Sequence, residues 1–237
     1  MTDAVHHTAE LLPQNFPLAA NRSKPHDDPL SLLARVASKL KTLWLVHTYP
    51  FVTVGRDLSV HYSCEFARPT AHLISIGEKV RIGRDAWINI PTESNARSPV
   101  IVLGDRSIVG RRCVISAANS IRIEDDVIFA PSVLVMDHNH AFQDISSPIA
   151  SQGITEGGTI RIETGCWLGY GSAIVCSQGE LVIGKQSVIG ANSVITRSVP
   201  PYSVVTGNPA RVVKQFDPAK GEWVLGSAGV AGVKRSV

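Results

Sequence analysis

A six-residue repeat runs through the middle of the 237-residue chain. Each copy reads aliphatic, small, two polar residues, one small or β-branched residue and any residue, as in Ile76-Gly-Glu-Lys-Val-Arg. The copies begin at Ile76, Ile82, Leu103, Val109, Ile123, Phe129, Ile162, Leu168, Ile183 and Ile189. Because one hexad suffices for a short strand and a turn, three of them close a triangular coil of about 18 residues. The repeat predicts stacked coils whose aliphatic positions point inward, with the small second residue allowing a tight turn.

The distribution of isoleucine supports a β-structure for the same region. All isoleucines of the chain lie between Ile74 and Ile195. β-branched residues favour strands, whereas the leucines near the N-terminus follow helical spacing from Leu30 to Leu43. A β-sandwich is the alternative, but its strands would alternate with period two and lack regular glycines. The sequence therefore predicts a mainly β solenoid preceded by a short helix.

Composition and charge limit the function classes. The chain has 23 Lys and Arg against 20 Asp and Glu, a net charge of +3 that is too small to indicate nucleic-acid binding. The polar first 30 residues contain no apolar signal region, and no apolar run reaches the ~18 residues of a membrane span. The four cysteines have no zinc-site spacing. We expect a cytoplasmic protein with tails at 1–28 and 215–237, a helix and lead-in at 29–59 and a solenoid at 60–214.

Together the hexads and the stretch from Ile189 to Lys214 resemble the bacterial hexapeptide-repeat acyltransferases, in particular the galactoside and maltose acetyltransferases and the enzymes that modify surface polysaccharides. The resemblance covers roughly residues 60–214. It implies a left-handed parallel β-helix, a homotrimer with active sites between adjacent helices, and acetyl-CoA as the acyl donor. It also implies transfer to a sugar hydroxyl, with a cell-surface polysaccharide or its precursor as the acceptor.

The hexads stop after Val135 and resume near Ile160, and this loop at 136–159 contains His138 and His140. A long excursion from a regular scaffold is typically functional. Acetyl transfer to an alcohol needs a base, and imidazole has a suitable pKa near neutrality. The resemblance places the catalytic histidine at His140. His138 is the alternative base, an acceptor contact or an orienting partner, and Asp137 either orients an imidazole or caps the turn.

The same resemblance implies the binding residues. The coenzyme A contacts are Trp167, Gly169, Tyr170, Ala191, Thr196, Arg197, Asn208, Arg211 and Lys214. For the basic residues the alternative is plain solvated charge, and for Trp167 it is packing at a subunit boundary. On the acceptor side the resemblance implies Asn89 and, from the Asn-His pair of xenobiotic acetyltransferases, Asn139. The acidic residue expected shortly after Asn89 is missing.

Three other functions stay open at this stage. The first is N-acetylation of an amino sugar or a xenobiotic, and the second is a non-catalytic scaffold. The third is a zinc hydratase with three histidine ligands, but His61 and His72 lie several coils from His138 and His140, so no metal is expected. The basic N-terminal helix with Trp44 is interpreted as a cap over the end of the solenoid, with peripheral membrane association as the alternative.

Overall fold

The computed structural model describes residues 29–91 and 99–226. The predicted tail at 1–28 lies outside these ranges, as do 92–98 and 227–237. Helix α1 spans Pro29–Thr48, and short 3-10 helices span Arg68–Leu73 and Ile149–Ser151. Within the described ranges the strands are β1 Thr53–Val54, β2 Ser59–Val60, β3 Glu65–Phe66, β4 Ile74–Ile76, β5 Arg81–Ile82, β6 Trp87–Asn89, β7 Ile101–Leu103, β8 Ile108–Val109, β9 Val114–Ser116, β10 Ser120–Ile123, β11 Ile128–Phe129, β12 Leu134–Met136, β13 Thr159–Ile162, β14 Trp167–Leu168, β15 Ala173–Val175, β16 Glu180–Ile183, β17 Val188–Ile189, β18 Val194–Ile195, β19 Ser203–Gly207, β20 Ala210–Asp217 and β21 Glu222–Leu225. In the described part of the chain no helix is both long and apolar enough to cross a membrane.

The strands form three sheets that wrap around one core, and all neighbouring strands pair in parallel except at β20 and β21. Sheet 1 contains β1, β4, β7, β10, β13 and β16, and sheet 3 contains β3, β6, β9, β12, β15 and β18. Sheet 2 contains β2, β5, β8, β11, β14 and β17, extended by β19, β20 and β21. Each coil therefore visits sheets 1, 2 and 3 in turn, which is the predicted triangular solenoid. We call the turns from sheet 1 to 2, from 2 to 3 and from 3 to 1 the first, second and third corners.

The inward residues explain the repeat. Each coil buries at least one aliphatic or aromatic side chain per sheet, and equivalent residues stack between coils. From the second coil to the sixth these sets are Ile76, Ile82 and Ile88; Leu103, Val109 and Ile115; Ile123, Phe129 and Val135; Ile162, Leu168 and Ile174; and Ile183, Ile189 and Ile195. Within every set the spacing is six residues, whereas the spacing from one set to the next varies. The first and second corners are thus regular, and all insertions occur at the third corner.

The turn geometry corrects one detail of the predicted hexad. The left-handed conformation occurs at the fourth position, for example at Arg106 with φ 58° and Asn192 with φ 55°, and not at the small second residue. The second residue is small because neighbouring coils approach closely there. A Cβ on Gly110 would lie 2.6 Å from the carbonyl oxygen of Phe129 in the next coil. Steric exclusion between coils, and not backbone freedom, accounts for these glycines.

Both predicted ends of the solenoid differ from the structure. The first coil already begins at β1, because Val54 starts a hexad copy that the sequence analysis missed, with Asp57 at φ 58° in its fourth position. At the other end β20 passes Lys214 and pairs antiparallel with β21, where the sequence predicts a tail. The rings of Phe216 and Trp223 pack 5.7 Å apart across this hairpin, which explains why the chain stays ordered there.

Candidate functional site

The long excursion occupies the third corner between β12 and β13 and begins with Asp137. This carboxylate is fully buried and accepts three backbone N–H groups, from Ala118 at 2.7 Å, Asn119 at 2.9 Å and Ser120 at 2.8 Å. A buried carboxylate is costly unless it is hydrogen-bonded, and these donors meet that requirement. Asp137 therefore fixes the start of the excursion to the preceding coil.

Asp137 also contacts the first histidine of the excursion. The Nδ1 atom of His138 lies 3.1 Å from Oδ1 of Asp137, and the His138 side chain is 10% exposed. When Nδ1 carries the proton and donates it to the carboxylate, Nε2 of His138 is left as the proton acceptor. The pair thus selects one tautomer and one orientation of the ring.

The second histidine lies on a short antiparallel ladder within the excursion. Thr155 donates its N–H to the carbonyl of Asn139 at 2.8 Å, and Ala141 donates to Gly153 at 3.1 Å. Between them His140 forms a backbone bridge with Ile154. The His140 side chain is exposed and forms no hydrogen bond with any residue that the structure describes. The ladder fixes the backbone of His140 and leaves its ring accessible.

Side chains also order the tip and the return of the excursion. Gln152 donates from Nε2 to the carbonyl oxygens of Asp144 at 2.8 Å and Ser147 at 3.0 Å. The hydroxyl of Ser146 donates to the Asp144 carboxylate, and this bond lowers the pKa of Asp144. At the return, Asn119 donates from Nδ2 to the carbonyl of Gly158 at 3.0 Å. The sequence analysis missed Asn119, although the spacing from Ile115 to Ile123 exceeds the six residues of a regular hexad and so indicates an irregular turn there.

The predicted acceptor residue Asn89 lies on the same sheet as the start of the excursion. It ends β6 and pairs in register with Ser116 of β9, which pairs with Met136 of β12. Its Nδ2 donates to the hydroxyl of Ser116 at 3.0 Å. Two strand spacings, about 10 Å, therefore separate the backbones of Asn89 and Met136, the residue before Asp137. The structure brings Asn89 and the histidine loop to one edge of sheet 3.

Three of the predicted coenzyme A residues line one cavity of about 280 Å³ at the last coil, namely Thr196, Arg197 and Arg211. Thr196 and Arg197 follow β18, so they lie at the same corner as the excursion, two strands further along sheet 3. Both arginine side chains are exposed, and Arg211 donates to its neighbouring carbonyl of Ala210 at 2.8 Å. Lys214 and Asn208 are exposed nearby on the terminal strands but do not line this cavity.

The other predicted coenzyme A residues lie elsewhere. Gly169, Tyr170 and Ala191 occupy stacked turns at the second corner, on the opposite edge of sheet 3 from the excursion. A Cβ on Gly169 would lie 2.8 Å from the backbone nitrogen of Ala191, which explains the glycine. Trp167 projects outward from sheet 2, and both Trp167 and Tyr170 are 50% exposed. Within one protomer, the nine predicted contacts thus form separate groups.

Two further chemistries can be judged from the described residues. The four cysteines are buried free thiols, and burial raises the pKa of Cys113 and of Cys166 to about 11. The thiols of Cys113 and Cys166 therefore stay protonated at neutral pH and are poor nucleophiles. Within residues 29–91 and 99–226, no group of three or more His, Cys, Asp or Glu side chains is arranged to hold a metal ion.

Comparison with known proteins identifies relatives of the chain. A protein of Mycobacterium tuberculosis named as an acetyltransferase is 30% identical over 169 residues, which are 70% of this chain and 51% of that protein. WbbJ of Escherichia coli, named as an O-acetyl transferase of lipopolysaccharide biosynthesis, is 30% identical over 52% of this chain and 65% of its own length. The chain thus spans less than two thirds of either relative. No protein-family model matches the sequence.

A solved structure confirms the fold. A mutant of AntD, an N-acyltransferase from Bacillus cereus in complex with dTDP and coenzyme A, aligns with a TM-score of 0.58 and 19% identity over 76% of this chain and 90% of that chain. The chain therefore has the left-handed parallel β-helix fold of the hexapeptide-repeat acyltransferases and is a homologue of proteins named as acetyltransferases, which confirms the resemblance seen in its sequence.

Proposed function

We propose that the protein is an acetyl-CoA-dependent O-acetyltransferase that acts on a hydroxyl of a sugar, within a cell-surface polysaccharide or its precursor. The observation that carries the proposal is the anchored excursion at the third corner. It presents two histidines on the sheet edge that also holds Asn89 and the cavity lined by Arg197 and Arg211. The relative named for O-acetyl transfer in lipopolysaccharide biosynthesis supports this acceptor class.

The donor site fits a phosphate-bearing cosubstrate. Arg197 and Arg211 place two guanidinium groups at one cavity, and Thr196 adds a hydroxyl. Guanidinium groups bind phosphate oxygens through paired charge-assisted hydrogen bonds. Acetyl-CoA supplies the activated acetyl group, so the chain itself has to bind the donor, orient the acceptor and remove one proton. We assign Asn208 and Lys214 to the outer, solvent-exposed part of this site.

We assign the general base to His140. Its exposed imidazole can reach an incoming hydroxyl, and the ladder of Asn139 and Ala141 with the returning chain fixes its backbone. The hydroxyl donates its proton to His140 while its oxygen attacks the carbonyl carbon of the thioester. The C–S bond then breaks, and coenzyme A leaves as a thiolate that takes up the proton from His140, so no acyl-enzyme is formed. His138 is the second candidate, because Asp137 orients its ring. If His138 is the base, a small shift of the loop has to expose its Nε2 atom.

The proposed assembly is a homotrimer in the cytoplasm. Outward residues of sheet 2, including Ile108, Ile128 and Trp167, are 37%, 45% and 50% exposed in the protomer, whereas the matching row of sheet 1 carries Arg122 and Arg161. An exposed apolar row of this kind indicates a surface that another copy covers. In a trimer, the second corner of one copy can complete the third corner of its neighbour. That arrangement would reunite the separated coenzyme A contacts.

The assembly can be tested by light scattering. Ile128→Arg introduces a charge into the apolar row and is expected to convert the trimer into monomers. Val102→Arg, at the equivalent outward position of sheet 1, is the matched control and should leave the trimer intact. A monomeric wild-type protein with full transferase activity would contradict the proposed assembly.

The activity is tested with radiolabelled acetyl-CoA and a panel of sugar acceptors that carry hydroxyl or amino groups. We expect the product to be an acetate ester of a sugar hydroxyl. His140→Ala should lower kcat by at least ~10²-fold and leave acetyl-CoA binding unchanged. His47→Ala, an exposed histidine on α1, is the control and should keep full activity. Loss in His138→Ala alone would reassign the base to His138. Activity retained in both variants would contradict a histidine base, and an amide product would contradict O-transfer.

A further inference from the structure

Helix α1 presents an apolar face to solvent. Leu33, Val36, Leu40 and Leu43 follow the i, i+3, i+4 spacing of one helical face, and they are 69%, 48%, 62% and 55% exposed. The neighbouring Trp44 is 47% exposed. The sequence analysis interpreted this helix as a cap over the solenoid, but its leucine face points away from the solenoid. The apolar face, hereafter the leucine face, has no partner among the described residues.

A different face attaches the helix to the first coil. The hydroxyl of Thr42 accepts the N–H of Val60 at 3.0 Å, and the hydroxyl of Ser38 accepts the N–H of Tyr62 at 3.2 Å. Leu45, on the same side, is only 1% exposed. These contacts hold α1 without using the leucine face. Substitutions on the leucine face should therefore leave the attachment and the solenoid fold unchanged.

The charges beside the leucine face have one sign. No Asp or Glu occurs between Pro29 and Thr48, whereas Lys39 and Lys41 flank the apolar row. The ammonium group of Lys41 lies 5.0 Å from the ring centre of Trp44. The described residues that line the groove of about 780 Å³ between α1 and the first coil include no acidic residue either. Two copies of this surface would bring like charges together, so charge complementarity points to an anionic partner.

We propose that the leucine face of α1 binds the surface of an anionic lipid bilayer, with the helix lying in the plane of the membrane interface. Leucines of a surface helix insert into the boundary between headgroups and acyl chains, lysines pair with anionic headgroups, and tryptophan favours the boundary itself. Each lysine near an anionic surface contributes about 1 kcal/mol of binding free energy. The proposal does not rest on transferase activity, because the helix contacts the first coil and the candidate site lies along sheet 3.

Sedimentation with vesicles tests the binding of the purified full-length protein. We expect it to pellet with phosphatidylcholine vesicles that contain about 30% phosphatidylglycerol, and to bind pure phosphatidylcholine at least ~10-fold more weakly. Raising the salt to roughly 0.5 M should weaken binding to the anionic vesicles. Leu40→Ser with Leu43→Ser should reduce the affinity by at least ~10-fold. Leu225→Ser, at a position 66% exposed on β21, is the control and should bind like the wild type.

Charge variants and a fluorescent label make the test specific. Lys39→Gln with Lys41→Gln should lower the affinity by about 30-fold, whereas Lys79→Gln with Lys185→Gln should lower it much less. Because all four native cysteines are buried, Leu33→Cys offers a single accessible thiol for an environment-sensitive dye. Its emission should shift to the blue on anionic vesicles, and that of a dye at Leu225→Cys should not.

Two results would overturn the proposal. The first is the absence of pelleting with anionic vesicles at low salt, in a sample whose circular dichroism and unfolding midpoint indicate a folded protein. The second is dissociation of the oligomer by Leu40→Ser with Leu43→Ser, without any change in vesicle binding. That result would assign the leucine face to contacts between copies of the chain. Neither result depends on transfer activity, so failure here is distinguishable from failure of the proposed function.

Discussion

The first and third corners of the solenoid both contain aspartates that accept backbone N–H groups, but these contacts have different structural roles at the two corners. At the first corner, the carboxylate of Asp105 accepts the backbone N–H of Glu78 at 2.8 Å, and that of Asp125 accepts the N–H of Asp105 at 2.9 Å. At the third corner, Asp137 accepts N–H groups of the preceding coil in the same way but begins a long excursion. A carboxylate-to-backbone contact thus either stacks regular turns or anchors an insertion.

The two corners differ in how well they tolerate an insertion. At the first corner, the turns repeat with fixed spacing and adjacent coils approach so closely that they exclude even a Cβ. At the third corner, the connection from Ile115 to Ile123 is short, while that from Val135 to Ile162 carries both candidate histidines. The chain can lengthen there because the next coil restarts in register on sheet 1. The candidate site accordingly lies along the irregular corner.

The largest effect is expected for Asp137→Ala. The substitution leaves three backbone N–H groups without an acceptor and removes the partner of His138, at a cost of about 4 kcal/mol in the free energy of unfolding. Transfer activity should fall by at least ~10²-fold, because the histidine loop loses its anchor. Denaturant unfolding and kinetics measure both. Asp125→Ala at the first corner, which removes the acceptor of the backbone N–H of Asp105, is the control. An equal loss in the free energy of unfolding for both variants would contradict the described difference between the two corners.

A matched pair of insertions tests the corners directly. Two glycines inserted between Asp105 and Arg106 should break about three hydrogen bonds between neighbouring turns and destabilise the fold by about 3 kcal/mol. The same insertion between Ser177 and Gln178, at the third corner of the fifth coil, should cost less than about 1 kcal/mol, since loop closure depends weakly on length. Thermal unfolding of both variants checks this. Equal destabilisation would contradict a tolerant third corner.

A smaller effect is expected for Asn119→Ala. The variant loses the hydrogen bond from Nδ2 to the carbonyl of Gly158, which closes the base of the excursion, and should lose about 1 kcal/mol of stability. Transfer should decline more than stability, because the loop geometry loosens while the solenoid remains. Comparing kcat with the unfolding free energy measures this. A fully active variant would show that closure of the excursion is unimportant.

The smallest effect is expected for Glu124, at the first corner after β10. Burial raises its pKa, but hydrogen bonds from Arg161 and Thr164 outweigh this, and the net pKa is lowered. Its contribution to stability is therefore present above its unfolded pKa of about 4.3 and lost as the pH falls through the lower folded pKa. Glu124→Gln should be less stable than the wild type at pH 7 and equal to it near pH 2. A difference that persists at pH 2 would contradict this contact.

The sequence predicts the regular parts well because their determinants are local. A hexad such as that beginning at Leu103 specifies its strand and turn within six residues, although the predicted copies do not include the one at Val54. The anchoring role of Asp137 could not be predicted, because its carboxylate binds the backbone amides of Ala118 to Ser120. These residues are distant in sequence and belong to another coil. The helix was predicted from its leucine spacing. The spacing alone does not reveal which face meets the solenoid, because Ser38 and Thr42 provide the contact through hydrogen bonds.

Hydrogen–deuterium exchange with and without coenzyme A tests most directly whether the candidate site lies at the third corner. We predict slower exchange on binding at 137–158, 195–197 and 210–212, and at the second-corner turns 169–171 and 190–192. The first-corner turns, such as 104–107 and 163–166, should exchange at the same rate in both samples. Protection confined to the first corner, in a protein shown to bind coenzyme A, would contradict this assignment.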